Sequence, residues 1–76
     1  MRVEEIVAKT LGMPVNEIAN HTGPENSTMW DSAAHIDIML SVEAEFSVAF
    51  SPDEMLNLLS VGAIKRAVAE KRAATA

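Results

Sequence analysis

Ser32 and its neighbours are where this sequence concentrates residues able to do chemistry. Met29 to Leu40 reads MWDSAAHIDIML: Asp31 immediately precedes the serine, His35 follows it by three positions, and Asp37 by five. A nucleophilic serine requires a general base within hydrogen-bond reach and donors for an oxyanion. His35 lies one helical turn from Ser32, but Asp37 falls on another side of the helix. The second histidine, His21, sits in a segment of loop-forming residues. The pattern therefore speaks against a serine-histidine-aspartate triad. The chain has no cysteine, which removes a thiol nucleophile, disulfides and thiolate metal sites together. Two histidines are too few for a histidine-built metal site. A helix N-terminus has another use, because its free N–H groups and dipole favour a phosphate. A serine in the first turn, beside a long loop, is suited to carry a phosphoester. Position alone leaves two readings open: a serine merely tolerated near a helix start, which is the plainer, and one that bears a phosphate.

The elements that position Ser32 follow from apolar spacing. Val3, Ile6, Val7 and Leu11 keep the i, i+3, i+4, i+8 pattern of an amphipathic helix over about residues 2–11. Gly12 and Pro14 then stop it. Residues 12–30 form a long first loop containing NHTGPENST, and loops of that length in a small domain are often functional. Val15 and Ile18 are expected to tuck inward and pin it, with a short helical turn near Asn16–Ala19. A second helix is expected over Ser32–Phe46, with Asp31 as its N-cap. Ser51-Pro52-Asp53-Glu54 opens a short third helix with a capping serine, proline at the first position and a capping-box glutamate. Its Met55, Leu56, Leu58 and Leu59 are expected to point largely inward. A fourth begins after Ser60, with Val61, Ile64 and Val68 on one stripe. Lys71 and Arg72 suit its negative end, and the tail AATA is expected to fray. The nearest strand signal, FSVAF at 46–50, is too short and isolated to build a sheet. The expected fold is all-α: a four-helix bundle of three main helices plus one short third helix, in a single domain over residues 1–76.

On a helical wheel the second helix has two apolar faces. Ile38, Val42 and Phe46, with Met39 beside them, fall on one; Ala33, Ile36 and Leu40 fall roughly opposite, bordered by Asp37 and Glu43. Either the helix is central and buried on both sides, or the second stripe faces solvent as a docking strip rimmed by carboxylates. Charge distribution favours the strip. The net charge is −5, and between residues 10 and 64 every charged side chain is acidic. A surface of that sign suits partners with basic surfaces and argues against a nucleic-acid backbone. The N-terminus lacks the pattern of a secretory signal, and no apolar run approaches a bilayer span. A soluble, cytoplasmic monomer without membrane insertion is expected. An EF-hand is excluded, because no segment has the alternating acidic spacing with a central glycine.

The stretch WDSAAHIDIMLSVEAEF resembles the acyl carrier protein family, whose signature is an Asp-Ser pair opening the second helix. Asp31-Ser32 matches the pair; Ile36, Asp37, Ile38, Leu40, Val42, Glu43, Glu45 and Phe46 match the body of that helix. Downstream, FSPDEMLNLLSVGAIKRAV is similar to the family's short third helix and the start of its fourth, with Ser60-Val61-Gly62-Ala63-Ile64 at the matching separation. The resemblance implies that Ser32 carries 4'-phosphopantetheine, attached covalently from coenzyme A by a phosphopantetheinyl transferase with magnesium. The arm's terminal thiol would hold an acyl group as a thioester, so thiol chemistry needs no cysteine. It implies no catalysis by the chain itself. Asp31, Ala33, Ile36, Asp37, Leu40 and Glu43 would form the face read by partners: the transferase, and acyl-activating and acyl-transfer or synthase enzymes. Ile38, Val42, Phe46, Leu59, Ile64 and Val68 would make the core and sheath an acyl chain. The sequence departs from the family at Ala33, where leucine is usual, and at Ala34, where an acid is frequent. His35 is not a typical choice; a recognition contact or a pH-sensitive group is one reading of it, and a plain solvent-facing polar residue is the expected one. Trp30 stands where a small residue is common, although Trp-Asp-Ser occurs among stand-alone carriers of specialised pathways. These departures point to a dedicated carrier in a specialised lipid or secondary-metabolite pathway rather than the housekeeping fatty-acid carrier. An aminoacyl or peptidyl carrier of the same fold is the first alternative. A helical interaction module without a prosthetic group is the second.

Overall fold

The computed structural model describes residues 1–75, and every regular element among them is helical. Helix α1 (Val3–Leu11) is closed by Gly12 in the left-handed conformation, φ 68°, with its N–H on the Ala8 carbonyl. That backbone is strained for a residue with a Cβ, which explains a glycine there. A single 3-10 turn follows at Val15–Glu17. Helix α2 (Ser32–Phe46) has the expected bounds and ends at Ser47, whose φ of 54° is also left-handed. Helix α3 (Pro52–Asn57) has the expected capping box: Ser51 Oγ accepts from the Glu54 N–H, and the Glu54 carboxylate accepts from the Ser51 N–H. Helix α4 spans Val61–Thr75.

The core lies where α1, α2 and α4 meet. Val3, Ile6, Val7, Ala8 and Leu11 of α1, Ile38, Met39 and Val42 of α2, and Val61, Ile64 and Val68 of α4 are buried, with Ile18, Trp30 and Phe50 sealing the ends. Burying such side chains contributes roughly 1.5–3 kcal/mol each, which is what orders a chain this short. Phe46 packs against the core from a half-buried position.

Three local expectations need correction. Val15 is exposed, and Ile18 alone of that pair is buried; Ile18 stands just past the 3-10 turn in extended backbone, so its side chain is not held to the face of Val15. Leu56 and Leu59 are exposed, so Leu59 is not core; α3 spans only six residues and has one inner side, filled by Met55 with Leu58 beyond its end. The backbone of α4 is helical to Thr75, and Ala76, the last residue of the tail expected to fray, lies outside the described residues. His35 is not a plain solvent-facing residue, as its partners below show.

The long loop is stitched down rather than loose. Thr22 is buried, its Oγ1 accepts from the Ala19 N–H at 2.9 Å, and its carbonyl accepts from the Val61 N–H at 2.9 Å. The Asn20 carbonyl takes the Gly62 N–H at 2.8 Å. These bonds satisfy orphan donors of the first turn of α4 and fix the loop across the bundle end. Gly23 abuts the Leu59 carbonyl so closely that no Cβ would fit. Asn26 then closes a turn, accepting from the Gly23 N–H and donating to the His21 carbonyl. Loop and α2 therefore meet at a defined point, Trp30.

Candidate functional site

Ser32 is the first residue of α2 and is exposed. Asp31 caps the helix as expected, with extended backbone and its Oδ1 accepting from the Ala34 N–H at 2.8 Å. A carboxylate at this position satisfies an orphan donor and is favoured by the helix dipole. Beside Ser32 runs an open groove of about 460 Å³. Trp30, His35 and Ile36 form its α2 side, Leu56 and Leu59 its opposite side, and Pro24 one end. The exposed leucines that left the core are thus the apolar wall of the space next to the serine.

His35 cannot serve Ser32 as a base in this arrangement. Its Nδ1 accepts from Trp30 Nε1–H at 2.9 Å, and its Nε2 lies 2.6 Å from the Met55 carbonyl. Both ring nitrogens are engaged away from the serine. The indole and imidazole rings lie 6.0 Å apart at 32°. The helical wheel contains the signal for this: His35 falls near 300°, between Val42 and Phe46 on the core face. Trp30 is 2% exposed, so its size is used to plug the loop-to-α2 junction.

The two stripes of α2 separate cleanly. Ile38, Met39 and Val42 are fully buried, whereas Ile36 is 55% and Leu40 53% exposed, with Ala33 and Asp37 exposed beside them. Burial on both sides is thereby excluded. Glu43 has a second task, since its Oε2 accepts the Phe50 N–H at 2.7 Å and holds the connection after α2. Tertiary packing adds a residue that the sequence left out: Lys9 of α1 joins Asp37, Leu40 and Ser41 around a shallow depression of about 480 Å³. The rim of the strip is acidic along α2 and basic where α1 crosses it.

Away from this face, two ion pairs tie helices together. Lys65 Nζ meets Glu4 at 2.8 Å and Lys71 Nζ meets Glu54 at 2.8 Å. The Lys65 hydrogen bond is the main reason the Glu4 carboxyl lies below the usual glutamate range; the Lys71 bond, followed by the Ser51 N–H, does the same for Glu54. Among the described residues no cluster of His, Cys, Asp and Glu could hold a metal ion. No helix among them is long and apolar enough to cross a membrane.

The profile of the family described as phosphopantetheine attachment site matches residues 2–68. Among solved structures, the solution NMR structure of holo acyl carrier protein from Geobacter metallireducens is similar with a TM-score of 0.82 at 22% identity. The match covers 96% of this chain and 84% of that one. At that identity the likeness speaks for the fold. No curated protein matches the chain.

Proposed function

Since the chain belongs to the phosphopantetheine attachment site family, with 4'-phosphopantetheine as its covalent group, we propose that Ser32 is the attachment residue of an acyl carrier serving a dedicated pathway. Like other members it is a carrier and not a catalyst, and it meets phosphopantetheinyl transferases and synthase or transferase enzymes. The observation that carries the assignment is the exposed serine in the first turn of α2, beside an apolar groove and with His35 engaged away from it. The residues present fit the group: the hydroxyl is accessible for a phosphodiester, the helix N-terminus favours the phosphate, and Ile36, Leu56 and Leu59 offer apolar surface to the arm. When attached, the arm supplies a thiol that holds an acyl group as a thioester.

The chain's own residues do the rest. Asp31 caps the helix and holds Ser32 in its first turn. Ile36 and Leu40, with Asp37 and Glu43 at their border, offer a small apolar contact steered by charge toward basic partner surfaces. Ala33 leaves that strip flat where a larger side chain is usual, which supports a partner set of its own. Ile38, Val42, Ile64 and Val68, with Phe46 at the edge, support the strip from behind as core. The absence of cysteine suits a reducing cytoplasm.

The test is intact-protein mass before and after incubation with a broad-specificity phosphopantetheinyl transferase, coenzyme A and magnesium. One phosphopantetheinyl group should appear on the wild type and none on Ser32→Ala, whose melting temperature should be unchanged because the hydroxyl is exposed. Loading of Ser32→Ala, or no loading of the wild type by several transferases, would sink the assignment.

A further inference from the structure

His35 lies where three parts of the chain meet: the end of the long loop, the first turn of α2 and α3. An indole N–H only donates and a carbonyl only accepts. The contacts to Trp30 Nε1 at 2.9 Å and the Met55 carbonyl at 2.6 Å are therefore satisfied together only by the neutral ring with its proton on Nε2. A second proton would sit on Nδ1 and point at the indole N–H, donor against donor. The indole has little access to water that could take over the hydrogen bond, since Trp30 is 2% exposed.

We propose that His35 is a positioning residue that, while neutral, clasps α3 to the turn carrying Ser32, and that protonation releases this clasp. The inference goes beyond the carrier assignment and holds for the chain before any group is attached. Helix α3 is suited to respond. It has six residues, none of them fully buried, and helices that short are not stable by themselves. Other ties of this segment are the half-buried Met55, Leu58 just beyond its end, and the Glu54–Lys71 pair. Leu56 and Leu59 form one wall of the groove beside Ser32 while Trp30 and His35 form the other, so release of the clasp moves one wall against the other.

The charged and titratable groups on the elements that meet at His35 are Asp37, Glu43 and Glu45 of α2 with Asp31 at its cap, Asp53 and Glu54 of α3, and Glu17, His21 and Glu25 of the loop. Glu43 takes the Phe50 N–H, Glu45 the N-terminal amine, and Glu17 and His21 are exposed. Asp31 alone lines the groove with the ring, and its Oδ1 is taken by the Ala34 N–H. Glu54 is turned to Lys71 and the Ser51 N–H, and Asp37, Asp53 and Glu25 are exposed. None supplies a replacement acceptor for the indole.

The experiment is amide hydrogen exchange on the unmodified chain between about pH 8 and about pH 5, the range in which histidine side chains change charge, expressed as protection after correction for intrinsic rates. Emission of Trp30, the only tryptophan, is recorded in parallel. Protection of residues 54–59 should fall about tenfold toward low pH, as loss of one hydrogen bond with a buried donor left unpaired implies, while α1 keeps its protection. His35→Gln keeps an amide donor for the Met55 carbonyl and cannot take up a proton, so its α3 protection should be flat with pH; His21→Gln should behave as wild type. Flat protection of α3 in the wild type overturns the proposal without reference to any variant. So does an unchanged pH profile in His35→Gln, or loss of the profile in His21→Gln.

Discussion

Leu40 and Val42 lie two residues apart on α2, and Leu40→Glu and Val42→Ala should have opposite effects. Leu40 is 53% exposed, so about half of the roughly 1.5–3 kcal/mol of a fully buried leucine is at stake, about 1 kcal/mol. Glutamate is close to leucine in helix propensity and adds no further cost. In a domain of this size about 1 kcal/mol lowers the melting temperature by about 4–8 °C. Val42 is fully buried. Removing two methyl groups there forfeits about 1.6 kcal/mol of transfer energy plus a cavity contribution, about 2–3 kcal/mol together, and a fall beyond about 10 °C. Partner binding should invert the order. Leu40 offers the apolar contact in the middle of a small strip, and a carboxylate there should cost about 2 kcal/mol, or about thirtyfold. Melting curves by circular dichroism give the first ranking. The kcat/KM of a phosphopantetheinyl transferase for each variant, measured where both are folded, gives the second. A Leu40→Glu variant that melts below Val42→Ala, or that is loaded with unchanged kcat/KM, would refute the assignment of the two faces.

Asp31→Ala should lose about 1 kcal/mol with the cap. Asp31→Asn should keep that stability and still be loaded more slowly by a basic-surfaced transferase; equal loading rates would remove Asp31 from the docking face. Lys65→Met tests the α1–α4 ion pair. Because the Lys65 hydrogen bond lowers the Glu4 carboxyl, its stabilisation is present above the ordinary glutamate value, about 4.3, and is lost as pH falls through the lower folded value. The melting-temperature gap between wild type and Lys65→Met should therefore narrow on going from pH 7 to about pH 3, and a widening gap would contradict this sign. Ala33→Leu should broaden acceptance by ordinary fatty-acid enzymes, measured as their kcat/KM for the loaded carrier; unchanged kinetics would remove the significance given to the flat strip.

Sequence alone was enough for everything governed by local chemistry. The bounds of α2 followed from Asp31 as cap and an uninterrupted helical run. The start of α3 followed from Ser51-Pro52-Asp53-Glu54, whose hydrogen bonds close within four residues. The apolar spacing of α1 and α4 placed Val7, Val61, Ile64 and Val68 in the core, because a stripe at helical period has only one way to leave water. Ser32 was legible for the same reason, since a capped helix N-terminus is a local object.

Tertiary structure decided whatever depends on which elements meet. A wheel shows that α2 has two apolar faces but not which is covered; Ile38 and Val42 join the buried cluster with residues of α1 and α4, while Ile36 and Leu40 stay exposed. Leu56 and Leu59 read as core because they are large and apolar, yet a helix of six residues has one inner side and they lie beyond it. Lys9 is far from Asp37 in sequence and comes to the same depression only because α1 crosses α2. The clasp of Trp30, His35 and Met55 joins residues up to 25 positions apart. Its bonds depend on a loop held down by Thr22 and Gly23, contacts that no periodicity encodes.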